Sequence, residues 1–133
     1  MLDKLKFYID GQWVDPVEPR TLDVVNPATE AVYGRISLGS AADVDKAVAA
    51  ARRAFTSYSR TTREQRLDLL KSILAEFKNR HNDVAEAIMD EMGAPWTLAK
   101  GAQAASGPQH IKAAIKALET FEFEETSGTT LIV

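Results

Sequence analysis

Two histidines, one pair of adjacent carboxylates, two arginine clusters and a glycine-bracketed alanine run are the groups here whose types could do chemistry. His110 follows Ser106 by four residues, which on a continuous helix places imidazole and hydroxyl on one face. A nucleophilic serine also needs an acid to orient the ring and donors for an oxyanion, and neither is visible. Gly107-Pro108 lies between the two and disturbs their geometry. Asp90 and Glu91 are neighbours, so on a helix they point about 100° apart, whereas paired-carboxylate catalysis needs convergent side chains. Glu119, Glu122, Glu124 and Glu125 read as a solvated acidic stretch, and no spacing typical of a metal loop or a His-x-x-x-His pair occurs. His81 follows Lys78-Asn79-Arg80 and reads as a helix residue at the edge of a packed face. Gly101 and Gly107 bracket Ala102 to Ser106, but no Gly-Lys-[Ser/Thr] follows and no Gly-x-Gly-x-x-Gly exists, so phosphate-loop and dinucleotide fingerprints are absent. Arg52, Arg53, Arg60, Arg63 and Arg66 sit among acids near expected helix ends and read as solvated surface. With no cysteine, the chain holds no disulfide, thiolate metal site or thiol nucleophile of its own. It carries no self-sufficient catalytic constellation.

The elements that would position these groups fall into two halves. Phe7-Tyr8-Ile9 and Trp13-Val14 flank Asp10-Gly11, the dipeptide of a tight hairpin turn. Pro16 and Pro19 mark a loop, Leu22 to Val25 a strand ending at Asn26-Pro27, and Ala31 to Leu38 a further strand. Helices take over at Ser40, whose spacing to Asp43 is that of a capping box. Val44, Ala47, Val48, Ala51 and Phe55 lie on one apolar stripe at 3.6-residue spacing. Thr61-x-x-Glu64 is expected to cap a second helix over 63–92, about 45 Å long, stopped by Gly93 and Pro95. Its inner face would carry Leu67, Leu70, Ile73, Leu74, Phe77, Val84, Ile88 and Met92. Trp96 to Phe121 is helical in pattern, with a kink or break expected at Gly107-Pro108 and small residues (Ala99, Ala102, Ala104, Ala105) that admit a close backbone.

Across its 133 residues the chain is 45% apolar and 26% charged, ordinary for one globular domain and unlike a disordered segment. A net charge of −3 argues against a nucleic-acid partner. No secretory h-region and no run of about 20 apolar residues is present, so the expected setting is soluble and cytoplasmic, without a membrane. The closing Leu131-Ile132-Val133 reads as a strand awaiting an edge from a longer polypeptide or a partner.

Taken in order, Tyr8-Ile9-Asp10-Gly11-Gln12-Trp13-Val14, Val25-Asn26-Pro27-Ala28-Thr29-Glu30, the alanine-rich segment Asp43 to Phe55, Arg63-Glu64-Gln65-Arg66-Leu67 and Glu91-Met92-Gly93-Ala94-Pro95 resemble the amino-terminal portion of NAD(P)-dependent aldehyde dehydrogenases. Ala94 stands where lysine is common in that family's turn. The resemblance covers essentially the whole chain and implies an α/β fold for the family. Taken alone, the chain reads as α+β: short amino-terminal strands, then three or four helices and a terminal strand. Residues 1–127 would belong to the cofactor-binding domain (strands within 7–38, helices within 40–121), and 128–133 would begin the oligomerising strand extension, with Thr129 to Val133 as its first strand.

The implied reaction oxidises an aldehyde to a carboxylic acid through a cysteine thiohemiacetal, with hydride passing to NAD or NADP. The nucleophile, the activating glutamate and the cofactor-phosphate segments would all lie beyond Val133. The isolated chain is therefore expected to be inactive and to bind no cofactor alone. Its implied partners are the remainder of the polypeptide and, at full length, further copies in a dimer or tetramer. Some members also hold a monovalent cation on backbone carbonyls before the Asn-Pro turn and on an acid before the later glycine, here Val24 or Val25 with Glu91. The residues alone favour a plainer reading, ordinary strand positions and a solvated carboxylate. A different class remains open: a stand-alone interaction module that kept this scaffold and lost the enzyme.

Overall fold

The computed structural model describes residues 2–128 and 130–132. Five short strands come first: β1 (Leu2–Lys4), β2 (Phe7–Ile9), β3 (Gln12–Val14), β4 (Thr21–Asn26) and β5 (Ala31–Ser37). Helices α1 (Ala41–Tyr58), α2 (Arg63–Asn79), α3 (His81–Met92), the single turn α4 (Trp96–Leu98) and α5 (Ala104–Thr120) follow, with a π-helical turn at Ala99–Gln103. The hairpin β6 (Glu125–Ser127) and β7 (Thr130–Ile132) comes last. The chain is thus α+β, strands before helices.

Local chemistry explains most boundaries. Asp10 and Gly11 take φ of 55° and 76°, the pair of positive angles that closes the two-residue β2–β3 hairpin. Ser40 caps α1 reciprocally: its Oγ accepts from the Asp43 N–H, and the Asp43 carboxylate accepts from the Ser40 N–H at 2.9 Å. The second box is shifted by one residue from its expected place. Thr62, rather than Thr61, is the N-cap of α2, with Gln65 as its reciprocal partner.

Three elements depart from the sequence expectations. The expected helix over 63–92 is two helices, because Arg80 (φ −98°, ψ 15°) ends α2 and starts α3. The break near Trp96 to Phe121 falls at the π turn, while α5 runs through Gly107 and Pro108. A methyl at Gly107 would stand 2.6 Å from the Phe77 ring, so the glycine lets α5 lie close on α2. Finally, β1 precedes the first expected strand. It pairs in parallel with β5, which pairs antiparallel with β4, giving the order β1-β5-β4. A Cβ at Gly34 would meet the Leu2 carbonyl oxygen at 2.3 Å, and Arg35 clasps Asp3 through Nε and Nη2 at 3.1 and 2.9 Å. That pair holds the Asp3 carboxyl below its ordinary range. Thr129 and Val133, part of the expected terminal strand, lie outside the described residues; β7 covers Thr130–Ile132.

Small residues form the interior. Ala50, Ala85, Ala94, Ala99 and Ala104 are the buried apolar residues, and no large side chain is fully buried among the described residues. Along the apolar stripe of α1, Val44, Val48 and Phe55 are 59%, 51% and 66% exposed. The β2–β3 hairpin packs beside these three, along Ala47, Ala50, Ala51 and Ala54, tied there by Arg53 donating to Asp10 at 2.8 Å. On α2 and α3 the expected inner face is half-buried at Leu67, Leu70, Leu74, Phe77, Val84 and Ile88, whereas Ile73 and Met92 are exposed.

Candidate functional site

The end of α3, which carries Asp90 and Glu91, meets β4, which carries Val24 and Val25 and ends at Asn26. Asn26 folds the chain after β4: its Oδ1 accepts the Ala28 N–H at 2.9 Å and its carbonyl accepts the Glu30 N–H at 2.8 Å. The Asn26 side-chain amide also donates to Asp90 on α3 at 3.4 Å. Gly93 ends α3 with φ 68°, the left-handed C-terminal position glycine favours, and a Cβ there would stand 2.7 Å from Pro27 Cγ. Strand turn and helix end are therefore locked face to face.

Within this junction the β4–β5 register slips between Val24 and Val25: Val24 faces Gly34, and Val25 faces Val32. The slip disturbs the regular pairing at those two residues. Val24 is half-buried and Val25 exposed; Glu91 is exposed at the end of α3. Tyr33 reports the local field. Its hydroxyl pKa is raised, first by burial and then by the negative charges of Asp90 and Glu91. Asp90 and Glu91 thus set a negative field at Tyr33 on β5. Asp90, absent from the cation set the resemblance implies, is the acid tied to the strand turn.

The other candidates take structural roles. Ser106 donates its hydroxyl to the Gln103 carbonyl at 2.7 Å and His110 is exposed on the same helix, so no serine–histidine pair is assembled. His81 Nε2 lies 3.1 Å from the Lys100 carbonyl oxygen, tying the start of α3 to the π turn. Arg63 donates to the carbonyls of Glu119 and Phe121 and lies over the Phe123 ring at 5.5 Å. Arg66 donates to Thr61 Oγ1 at 2.9 Å and to the Ser59 carbonyl at 3.2 Å. These two arginines clamp backbone, unlike the solvated surface expected of them. Glu119, Glu122, Glu124 and Glu125 are exposed, and no group of three or more His, Asp or Glu side chains able to hold a metal occurs among the described residues. None of their helices is long and apolar enough to cross a membrane.

The model of the aldehyde dehydrogenase family matches residues 13–131, nearly the full chain. The chain belongs to the aldehyde dehydrogenase family. A 3-succinoylsemialdehyde-pyridine dehydrogenase from Pseudomonas sp is 48% identical over 134 residues, covering all of this chain and 28% of the relative. Among solved structures, an aldehyde dehydrogenase from Bartonella henselae superposes with a TM-score of 0.92 at 45% identity, over 95% of this chain and 26% of that one. Aldehyde dehydrogenase C of Pseudomonas syringae, solved as a mutant with NAD+ and octanal, gives a TM-score of 0.91 at 43% identity with the same coverage. The chain thus spans a little over a quarter of the length of its aldehyde dehydrogenase relatives, and matches their amino-terminal portion.

Proposed function

We propose that this chain is the amino-terminal scaffold of an NAD(P)-dependent aldehyde dehydrogenase that oxidises an aldehyde to a carboxylic acid. One observation carries the reading: 48% identity along the whole chain to a dehydrogenase of which the chain covers 28%. The absence of cysteine fits it, since the thiolate, the activating glutamate and the cofactor contacts would come from the remaining polypeptide. NAD is the better supported cofactor, because a structural relative at 43% identity was solved with NAD+; NADP is the alternative. Residues 1–127 would belong to the cofactor-binding domain and 128–133 would enter the oligomerising extension of a dimer or tetramer in the cytoplasm. The test joins this chain in frame to the carboxy-terminal remainder of the Pseudomonas relative. NAD+-dependent aldehyde oxidation by the chimera and none by the isolated chain supports the reading; a folded chimera without turnover overturns it.

The slipped register at Val24 and Val25 favours a second, smaller proposal: their carbonyls and the Glu91 carboxylate, with Asp90 beside them, hold a monovalent cation. Rubidium soaked into crystals of the chimera would show an anomalous peak at this corner. A flat map there sinks the cation.

A further inference from the structure

We infer that the face of α1 formed by Val44, Val48, Ala51 and Phe55 is the surface on which the rest of the aldehyde dehydrogenase polypeptide packs. The inference rests on the proposed function and says where on this chain the missing contact is made. These residues recur at helical spacing, with Val44, Val48 and Phe55 each more than half exposed. Val48, Ala51, Arg52 and Phe55 line a shallow groove of about 310 Å³. The β2–β3 hairpin flanks α1 from Lys46 and Ala49 round to Ala47, Ala50 and Ala54 and reaches the edge of the stripe at Ala51, while Val44, Val48 and Phe55 stay exposed beyond it. Scattered exposed apolar residues need no explanation, but a continuous stripe on an 18-residue helix does.

Area argues for a large occupant. The chain exposes 9872 Å², whereas a compact monomer of its mass exposes about 6,900 Å². The excess, about 3,000 Å², is on the scale of an obligate interface and well above a transient contact. A segment spanning 28% of its relative's length, with Val44, Val48 and Phe55 exposed in one stripe along the 18-residue α1, presents this side to the remaining polypeptide.

The chain has no cysteine, so a thiol placed on α1 reports its own burial. Val48→Cys and Phe55→Cys, made singly, would be alkylated and quantified by peptide mass in the isolated chain and in the chimera. The expected result is labelling at nearly the rate of a free thiol in the isolated chain, and roughly 100-fold slower labelling in the chimera. Equal rates in an active chimera overturn the assignment of this face while leaving the proposed function standing. A chimera without aldehyde oxidation overturns the proposed function instead. Slow, concentration-dependent labelling in the isolated chain makes a second copy the occupant and overturns the one named here. Val48→Asp with Phe55→Asp should leave the far-ultraviolet spectrum of the isolated chain unchanged and lower the chimera's melting temperature; no change in the chimera also counts against this face.

Discussion

Asp43 Oδ1 accepts the Val17 N–H at 2.9 Å, joining the first turn of α1 to a loop 26 residues earlier. The other carboxylate oxygen accepts from the Ser40 N–H at 2.9 Å and the Ser40 hydroxyl at 2.8 Å. One nearly buried side chain thus ends the strand half of the chain and begins the helical half.

Hydrogen bonds from the Ser40 backbone, the Val17 backbone and the Ser40 hydroxyl hold the Asp43 carboxyl below its ordinary range. On acidification the unfolded chain takes up this proton first, near its ordinary value of about 3.9. The stability Asp43 supplies is therefore complete above that value and is lost as pH falls through the folded pKa. Thermal melts of the wild type and Asp43→Asn should differ most near neutrality and converge in strong acid. Ser40→Ala should cost about 1 kcal/mol at neutral pH, as loss of an N-cap does.

Gly93→Ala meets two penalties, a left-handed backbone at φ 68° and contact with Pro27 Cγ at 2.7 Å. The first is worth about 1 kcal/mol or more for an L-residue. Pro27→Ala removes only the second. Urea denaturation should therefore show a larger loss for Gly93→Ala in the wild-type background than in Pro27→Ala, with about 1 kcal/mol persisting in the latter.

Gly107 lies inside α5, where alanine would gain up to about 1 kcal/mol of helix propensity. Its added methyl would reach 2.6 Å from Phe77 Cζ, so the ring must move. Gly107→Ala should destabilise the wild type and stabilise Phe77→Ala, a change of sign readable in a double-mutant cycle.

Arg63→Ala removes the donor that closes the carboxy-terminal end of α5 at the carbonyls of Glu119 and Phe121. Hydrogen bonds of this charge-assisted kind contribute on the order of 1 kcal/mol when partly solvated. Amides of the last turn of α5 should exchange several-fold faster, while those of α3 keep their wild-type rates.

The Asp10-Gly11 hairpin and the Ser40–Asp43 box were readable because each is decided within four residues of chain. The parallel pairing of β1 with β5 was not, since it depends on Gly34 admitting the Leu2 carbonyl across 32 residues. Nor was the break at Arg80, which has no proline or glycine to announce it. There His81 is held at the Lys100 carbonyl, a contact the apolar pattern of 63–92 cannot encode. For α1 the amphipathic period was legible and the cover of its stripe was not, because a pattern marks a face for burial without naming what buries it. For the proposed cation site, Val24, Val25 and Glu91 follow from family resemblance, whereas the tie of Asp90 to Asn26 spans 64 residues and no local pattern encodes it.

Among the described residues the buried apolar side chains are all alanines, which has a consequence for how this segment can vary. A core of rings and branched chains tolerates exchange, since one side chain can shrink as its neighbour grows. At Ala85 and Ala99, both wholly inaccessible, no large side chain fully buried among the described residues is there to shrink in exchange, and an added methylene presses on the spacing of the helices. Sequence drift should accordingly be narrow along the α3–π-turn seam and broad on exposed polar positions. The seam works as a spacer gauge, fixing how far apart the helices stand.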